Sequence, residues 1–559
     1  MPRPAGQVAS LYFDYPDYAV APRPHAPDEA DVVIAGAGPV GLCAALALAR
    51  QGVASVVLDP KTSVSDGSRA ICIARHSLEI LQQIGVDRAF TAKALPWTHG
   101  TSYYRDRAVF RLAMPHGPDE RFHPMYNLQQ QYIEAFLVAA AQADPLIDLR
   151  FGHRLVDLRN VADGVDIEVT CPDGAYPLHT RYAIAADGAR SRVREALGLQ
   201  LHGGAHEARY VIVDVKLRSA HPTERRAFFD PAANPGATIL VHRQPDDIWR
   251  IDYQLGEDED EETALAEASI RARLAPILEM LGEDDDWALE WWSLYKAYTL
   301  CLDDYRAGNV FFVGDAAHLV PIFGVRGLNS GFADAADIAW KLAWVLRGWA
   351  APTLLDSYSP ERRGATLDIF EQAGRSTRFM SPPTRGHRLL RDAALALAAT
   401  HASARDLLDP RQSQPYTYAD SALTTPAACG APRPAPGAAL FNSRLDDGTY
   451  LLDWLGTGFT LLYFADDAGD AHRAVEAFTQ DAAARGLPLA VIGCGPGERG
   501  ERDVRWVPDP DGRLARRYAA APGSALLVRP DRHVCAAWAT FDAGAGLGAL
   551  LRATGRTTP

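Results

Sequence analysis

The stretch DVVIAGAGPVG, residues 31–41, decides the fold of this chain. Its opening DVVIA is a short apolar run with β-branched residues, which predicts a buried parallel strand. Gly36, Gly38 and Gly41 follow at once, and an apolar helix is predicted from Leu42 to Ala49. In this order one glycine makes a tight turn, the second lets the backbone approach a pyrophosphate, and the third lets the helix pack on the strand. The stretch therefore predicts a nucleotide-binding loop.

The residues around this loop extend it to a dinucleotide site. Pro39 and Val40 complete the loop, so that the helix N-terminus faces the negative phosphates. A second strand is predicted from Ser55 to Leu58 and ends in Asp59, eighteen residues after Gly41. A carboxylate at this place can accept both ribose hydroxyls of an adenosine. The motif alone does not choose between FAD and NAD.

Two distant segments repeat the pattern of a strand that runs into a turn: Ala183–Ala186 before DGARSR (187–192), and Asn309–Val313 before GDAAH (314–318). After the second segment, Pro321 and the glycine-rich turn GVRGLN (324–329) precede a helix predicted from Ser330 to Arg347.

These motifs, in this order, closely resemble the class A FAD-dependent aromatic hydroxylases, which are flavoprotein monooxygenases of the phenol hydroxylase and 3-(3-hydroxyphenyl)propionate hydroxylase type. The resemblance spans about residues 30–380. It implies FAD as a tightly held cofactor and NADH or NADPH as a transient reductant. It also implies a C4a-hydroperoxyflavin that delivers one oxygen atom from O2 to a phenolic ring.

The resemblance also implies cofactor contacts at single positions. Gly314 and Asp315 match the GD pair, whose aspartate binds the ribityl chain in the family. Asp187 and Gly188 match the DG pair that contacts FAD phosphates, although Asp187 could merely form a turn ion pair with Arg190.

Further positions match the family pattern. Arg69 and Gln130 match the family's arginine segment and the last glutamine of its LPQ segment, and both are candidate FAD contacts. Pro321 matches the proline near the reactive edge of the flavin. The backbone of the turn residues is implied to face the pyrimidine edge of the ring: Gly327, Leu328 and Asn329.

The sequence departs from the family pattern at two positions. The acid at position 59 is Asp where Glu is commoner, which shortens its reach to the ribose. The flavin turn reads GVRGLN where many relatives read GGQGMN, and this adds Arg326. Arg326 could raise the flavin potential, bind a substrate carboxylate, or point to solvent.

The segment between the DG and GD motifs is predicted to supply a sheet over the flavin. Thr238–Arg243 and Ile248–Leu255 alternate around a polar turn, which indicates a hairpin with one face toward the substrate pocket. His242 and Tyr253 are candidates to deprotonate or hydrogen-bond a phenol, with packing as the alternative role. Arg250 could clamp a carboxylate unless it is exposed on the surface. The sequence identifies no catalytic base.

The predicted fold class is α/β and α+β: a Rossmann-like FAD-binding domain, an interleaved β-sheet substrate domain and a C-terminal thioredoxin-like domain. The expected boundaries are an N-terminal arm at 1–28, the FAD-binding domain at 29–204 and 300–380 (with part of the substrate layer near 95–125), the substrate sheet and helix at 205–299, a helical segment and Pro-rich linker at 381–437, and the thioredoxin-like domain at 438–559. The last domain has no CxxC, so we expect it to stabilise the fold or build a subunit interface, as in a homodimer, and not to exchange thiols.

Composition excludes several classes of function. The chain has 56 Lys and Arg against 70 Asp and Glu, a net charge of −14, which does not suit nucleic-acid binding. Its seven cysteines are scattered and form no CxxC pair, so neither a disulfide framework nor a metal site is predicted. No signal peptide or apolar run of about 18 residues is visible, and a cytoplasmic protein with no membrane contact is expected.

Two alternative functions stay open. The first is a flavin monooxygenase of the same scaffold that carries out epoxidation, Baeyer–Villiger insertion or oxidative decarboxylation. The second is a non-catalytic flavin- or ligand-binding protein. Halogenation is discounted because the WxWxIP signature of halogenases is missing. The aromatic substrate, the site of oxygenation and the choice between NADH and NADPH cannot be read from the sequence.

Overall fold

The computed structural model describes residues 9–24, 28–256, 258–283, 286–321, 324–401, 403, 414–465, 470–496 and 504–556. Its strands are, in chain order, β1 (Asp28–Ala35), β2 (Ser55–Asp59), β3 (Cys72–Ala74), β4 (Leu95–Trp97), β5 (His99–Tyr104), β6 (Arg107–Ala113), β7 (Met125–Asn127), β8 (Ile147–Phe151), β9 (Arg154–Val161), β10 (Gly164–Cys171), β11 (Gly174–Ala185), β12 (His202–Lys216), β13 (Arg225–Phe229), β14 (Thr238–Arg243), β15 (Ile248–Gln254), β16 (Ala288–Cys301), β17 (Arg306–Ala307), β18 (Val310–Phe312), β19 (His318–Leu319), β20 (Phe459–Phe464), β21 (Leu489–Gly495), β22 (Val504–Pro508), β23 (Ala525–Val528) and β24 (Val534–Trp538). Its helices are α1 (Pro39–Arg50), α2 (Arg75–Gln83), α3 (Asp87–Lys93), α4 (Gln130–Ala143), α5 (Arg192–Ala196), α6 (Glu261–Leu265), α7 (Glu267–Leu281), α8 (Gly327–Leu346), α9 (Tyr358–Met380), α10 (Arg385–Ala398), α11 (Leu451–Trp454), α12 (Asp470–Ala484), α13 (Arg513–Arg517) and α14 (Ala543–Ala553). Short 3₁₀ segments lie at Gly314–Ala316 and Pro352–Ser357.

The strand that opens the glycine loop lies inside a mainly parallel sheet. The sheet has the order β17-β18-β11-β1-β2-β8, and β10 and β9 branch from β11. β1 pairs in parallel with β2 and β11, and its residues Val32, Val33 and Ile34 are fully buried, as DVVIA predicts. α1 begins at Pro39 and not at Leu42, because proline fits the first turn of a helix. The Rossmann-like arrangement predicted from the sequence is confirmed.

A second sheet covers one side of this domain and has the order β19-β16-β12-β15-β14-β13-β5-β6. The predicted hairpin is present as β14 and β15, which pair antiparallel. One face of the sheet packs on the apolar side of α7, where Ile270 and Leu274 are fully buried. The opposite face is turned toward the FAD-type domain, because Arg250 on that face bonds residues of the segment before β3.

The smallest sheet, β3-β7-β4, connects the two larger ones. Asn127 at the end of β7 accepts hydrogen bonds from Cys72 Sγ (3.1 Å) and Trp97 Nε1 (2.8 Å) and donates to the Arg243 carbonyl oxygen (2.8 Å). This side chain therefore holds β3, β4 and the substrate hairpin together.

The C-terminal part forms a separate sheet of order β22-β21-β20-β23-β24. β20 pairs in parallel with β21 and antiparallel with β23, and α12 and α14 pack on the sheet, as expected of a thioredoxin-like domain. The arm, where described, is extended, and its Tyr18 ring stacks on Phe151 at 4.6 Å. Residues 1–8 and 25–27 of the predicted arm lie outside the described residues. The predicted domain boundaries stay predictions.

A buried charge network joins the C-terminal sheet to α8 and α9. Arg529 contacts Glu361 (2.7 Å) and Asp337 (3.1 Å), and Lys341 contacts both of these carboxylates. These four side chains are almost completely buried. In the described part of the chain, no helix is long and apolar enough to cross a membrane.

Candidate active site

The glycine loop is packed so closely that its conformation requires glycine at two positions. Gly36 has φ +106°, and a Cβ on Gly41 would lie 2.0 Å from the Gly36 carbonyl oxygen. A Cβ on Gly38, in contrast, would meet nothing within 4 Å, so the backbone there is open to a ligand. Asp59 at the end of β2 accepts the Ala37 N–H (2.8 Å) and the Lys61 N–H (2.8 Å). The loop thus presents the start of α1 and one carboxylate to the same space.

The DG turn lies beside this loop. Gly188 has φ +80°, and Oδ2 of Asp187 accepts the Val193 N–H (3.0 Å) at the start of α5. The other oxygen, Oδ1, is buried and has no hydrogen-bond partner among the described residues. Burial raises the pKa of Asp187, which is the expected effect of enclosing a carboxylate.

The GDAAH segment contains an exposed carboxylate, Asp315, and a buried histidine, His318. Gly314 has φ +55°, and its N–H donates to Asp334 Oδ2 (3.0 Å), which His318 Nε2 also contacts (2.7 Å). His318 is therefore a fully buried structural residue. The Asp315 side chain is accessible to solvent. Desolvation by the surrounding protein raises its pKa, and the charges of His318 and Arg69 lower it. Asp315 therefore faces a cleft near Arg69.

The arginine segment is held by α4. Oε1 of Gln130 accepts the N–H groups of Arg69 (3.2 Å) and Ala70 (3.3 Å), and its Nε2 donates to Glu134 (2.7 Å). The Gln130 amide is therefore engaged within the protein, while the Arg69 side chain is exposed. That both residues contact FAD stays a prediction.

The glycine-rich turn ends at the N-terminus of α8, which has no side-chain cap, so the N–H groups of its first turn, which begins Gly327-Leu328, can bind a ligand. The side chain of Asn329 is occupied: Oδ1 accepts the Ala74 N–H (2.8 Å) and the Ser77 hydroxyl (2.6 Å), and Nδ2 donates to the carbonyl oxygens of Cys72 (3.1 Å) and Val325 (2.7 Å). Asn329 therefore fixes the turn against β3.

The side chains of Pro321, Val325 and Arg326, before and within the turn, have three different environments. Pro321 is buried, and the next two residues lie outside the described part. Val325 is β-branched but has φ +60°. A Cβ on Gly324 would lie 2.7 Å from Arg326 Nε, so the Arg326 side chain folds over that glycine. Burial lowers the pKa of Arg326, and the nearby Asp368 on α9 raises it.

The substrate sheet distinguishes between the alternatives that the sequence leaves open for Arg250 and Tyr253. Arg250 is 2% exposed and not at the surface, and its guanidinium pairs with Asp214 (2.8 Å) and donates to the carbonyl oxygens of Ser68 and Arg69. Its hydrogen bonds hold the sheet to the FAD-type domain, so the geometry does not support a substrate clamp. Tyr253 lies on the opposite face, in the core under α7, because neighbouring residues of a strand alternate. A pocket role for Tyr253 is therefore not supported.

His242 shares the face of Arg250, since the two residues are paired across β14 and β15. It is 5% exposed, and its Nδ1 has no hydrogen-bond partner among the described residues. Burial and the positive charges of Arg225 and Arg250 lower the pKa of His242 to about 3. The imidazole is therefore neutral at neutral pH.

Sequence reasoning missed two residues of this face, Arg225 and Asp252. Oδ1 of Asp252 and Nε of Arg225 are buried without hydrogen-bond partners among the described residues. For Asp252 the sequence did contain a signal: in IWRIDYQ, residues 248–254, charged residues at positions 250 and 252 alternate with apolar ones on a buried strand.

The residues of the cleft fit FAD. Uncapped N–H groups at the starts of α1 and α8 suit phosphates and an electron-rich ring, and the carboxylates of Asp59 and Asp315 suit sugar and ribityl hydroxyls. The buried, unpartnered oxygen of Asp187 is a further hydrogen-bond acceptor at the same edge of the sheet.

The chain is similar to known flavin enzymes over most of its length. Residues 29–373 match the family described as "FAD binding domain", and residues 443–553 match the "HcaD C-terminal domain". Two similar curated proteins are 3-(3-hydroxy-phenyl)propionate/3-hydroxycinnamic acid hydroxylases. The one from Mycolicibacterium smegmatis is 29% identical over 92% of this chain and 91% of its own, and the one from Mycobacterium sp. (strain JLS) is 30% identical over 91% and 89%. The crystal structure of the flavin-dependent monooxygenase PieE with FAD and substrate aligns with a TM-score of 0.77 and 27% identity, over 94% of this chain and 99% of PieE.

Proposed function

This chain belongs to the FAD-binding family of flavin-dependent aromatic hydroxylases, and we propose that it hydroxylates a phenolic ring held between the substrate sheet and the flavin. Its cofactor is FAD and its reductant is NADH or NADPH. When bound and reduced, FAD supplies the activation of O2 for transfer to the ring. The protein itself binds the cofactor and substrate, orients them and controls the proton of the phenol.

The observation that carries this proposal is the polar face of the substrate sheet. His242 and Asp252 are buried and Arg225 is partly buried, and each has a buried nitrogen or oxygen atom without a hydrogen-bond partner among the described residues. Buried polar atoms in folded proteins are normally satisfied, so such a group of atoms indicates a ligand site. The face lies opposite the segment that ends in β3, which Asn329 ties to the turn before α8.

The face offers both a hydrogen-bond donor, on Arg225, and a hydrogen-bond acceptor, on Asp252, and this combination suits a phenol that also carries an acid group. We assign the partly buried cation Arg225 to the acid group and the other end of the face to the hydroxyl. The curated relatives act on 3-(3-hydroxyphenyl)propionate and 3-hydroxycinnamic acid, and these are the first compounds to test. A cytoplasmic location and a homodimer stay predictions from the sequence.

The test is substrate-stimulated NAD(P)H oxidation by the FAD-loaded protein, with product and hydrogen peroxide measured in the same reaction. We expect one hydroxylated product for each NAD(P)H consumed, with little peroxide. A product with an epoxide, an inserted ester oxygen or a lost carboxyl group would replace this proposal with another oxygenase reaction. A protein that binds FAD but never consumes NAD(P)H with any phenol would be a binding protein.

A further inference from the structure

Asp252 lies on the pocket face of the substrate sheet, and the strand register determines this position. On β15 it is two residues from Arg250, so both side chains point to the same side. Arg250 is paired with His242 on β14 and with Asp214 on β12, and His242 is paired with Arg225 on β13. These residues form one row across the sheet, and Asp252 stands in the adjacent row, opposite the apolar residues Leu240 and Ile212.

The carboxylate of Asp252 is enclosed but only partly satisfied. The residue is 4% exposed, and its Oδ1 has no hydrogen-bond donor among the described residues. A buried carboxylate oxygen without a donor costs free energy unless a ligand supplies the missing hydrogen bond. A phenol is a suitable ligand, because its hydroxyl is a hydrogen-bond donor.

The other charged groups of the face are less suited to accept a proton. Asp214 is bound to Arg250 through two hydrogen bonds of 2.8 Å. Arg225 and Arg250 are cations, and His242 is kept neutral by burial and these two arginines, with a pKa of about 3. The Cys72 thiol, on the opposite side of the pocket, also lies near Arg225, Arg250 and Asp252, and burial raises its pKa.

The surroundings of Asp252 favour proton exchange near neutral pH. Burial raises its pKa to about 7, Asp214 adds to this effect, and the positive charges of Arg250 and Arg225 oppose it. A general base is most effective when its pKa lies near the working pH. A phenol has an ordinary pKa of about 10, so a base of this strength and a nearby cation lower the cost of forming the phenolate.

We propose that Asp252 is the catalytic base that accepts the hydroxyl proton of the bound phenol. The inference rests on the proposed function. In this step the O–H bond breaks, its electron pair stays on the phenolate oxygen, and the proton moves to a carboxylate oxygen of Asp252. The electron-rich ring carbon then forms a C–O bond to one oxygen atom of the O2 that reduced FAD would activate, and the O–O bond breaks. When the ring regains aromaticity, its C–H proton leaves with the second oxygen atom, which ends in water. Asp252 returns its proton to the phenolic oxygen and so ends as a carboxylate.

The experiment compares Asp252→Asn with wild type on two phenols of different acidity, 3-(3-hydroxyphenyl)propionate and a ring-fluorinated analogue that is more acidic. We expect the variant to hydroxylate the first compound at least about 100-fold more slowly at neutral pH, and the acidic analogue with a much smaller loss. In wild type the rate should rise with pH through the Asp252 titration, and this limb should be missing in the variant. Glu267→Gln, which removes an exposed carboxylate of α7 in the same domain, is the control and should behave as wild type.

A second measurement does not depend on turnover. Phenolate absorbs at longer wavelength than phenol, so binding of the more acidic fluorinated phenol to the oxidised holoenzyme should produce more of the phenolate spectrum in wild type than in Asp252→Asn.

Equal losses on both phenols, or an unchanged phenolate spectrum, would overturn the role of Asp252. His242→Gln separates the nearest alternative: if that variant shows the acidity-dependent loss and Asp252→Asn does not, the base is His242. If wild type forms no hydroxylated product from any phenol, the proposed function fails. If wild type hydroxylates both phenols and Asp252→Asn does so at the same rate, only the assignment of the base fails.

Discussion

At the scale of single residues, one side chain sets the flavin turn apart from that of many relatives. Val325 is the clearest case, because a β-branched residue with φ +60° occupies a position where many relatives have glycine. The left-handed region costs a residue with a Cβ roughly 1–2 kcal/mol. The Val325 side chain partly offsets this cost by packing on Ile71, Cys72 and Trp97.

Replacing Val325 with Gly and with Ala separates these two effects. Both variants lose the packing, but only glycine adopts the positive φ without strain. We expect Val325→Gly to be more stable than Val325→Ala by about 1 kcal/mol, seen as a higher Tm of the FAD-loaded protein. An alanine variant with an equal or higher Tm would contradict the backbone conformation described for this turn.

Replacement of the single residue Arg225 tests whether the protein recognises the negative charge of the substrate. We expect Arg225→Met to raise the KM for 3-(3-hydroxyphenyl)propionate roughly 10- to 100-fold, because a charge-assisted hydrogen bond is lost. The primary amide of this substrate carries no charge, and its KM should change little. Arg271→Gln removes an exposed cation of α7 and is the control. An equal rise of KM for the acid and the amide would show that Arg225 does not recognise the acid group.

At the scale of elements, the site depends on how β3 is held against α8. The side chain of Asn329 bonds backbone atoms of Cys72, Ala74 and Val325. The strands and helices themselves were predictable, because DVVIA, the glycine spacing and the alternating hairpin are local patterns. The polar face was only partly predictable, since Arg225, His242, Arg250 and Asp214 become neighbours through the register of four strands.

The same limit explains why the roles of Tyr253 and Arg250 stayed open in the sequence. Alternation along a strand puts the two side chains on different faces, but it does not show which face meets the flavin domain. That is decided by α7, which covers Tyr253, and by Asp214, which pairs with Arg250. Neither partner lies in the hairpin itself.

Asn329→Ala tests the connection between β3 and α8. We expect FAD affinity to fall at least about tenfold, because four hydrogen bonds that fix the turn are lost. Titration of the apoprotein with FAD measures this. Asn160→Ala is a matched control, since Asn160 also bonds backbone atoms, those of Ala307 and Asn309, but far from the turn. Equal weakening in both variants would show a general loss of stability instead.

At the scale of the whole molecule, the C-terminal domain is joined to the flavin domain by buried charges. Arg529 pairs with Glu361 on α9 and with Asp337 on α8. Arg362, which follows Glu361 on α9, pairs with Asp334 (2.6 Å). The Asp334 carboxylate also accepts the Gly314 N–H. The network therefore extends from the C-terminal sheet to the GD motif.

Arg529→Met should destabilise the protein strongly, because it removes one of the two cations, Arg529 and Lys341, that pair with the buried carboxylates of Glu361 and Asp337. Breaking a buried ion pair costs about 3–5 kcal/mol, so we expect a clear fall in Tm with loss of FAD at lower temperature than in wild type. Arg505→Met, at an exposed position of the same domain, should leave the Tm unchanged. A wild-type Tm in Arg529→Met would mean that the domains are not coupled through these charges.

The central claim is that this chain holds FAD beneath the polar face of the substrate sheet and transfers one oxygen atom from O2 to a phenol. The most direct measurement is turnover of 3-(3-hydroxyphenyl)propionate and related phenols under isotopically labelled dioxygen, with mass spectrometry of the product. The account predicts a hydroxylated product that carries a single labelled oxygen atom for each NAD(P)H oxidised. A product whose new oxygen comes from water, or a purified protein that takes up no FAD, would contradict it.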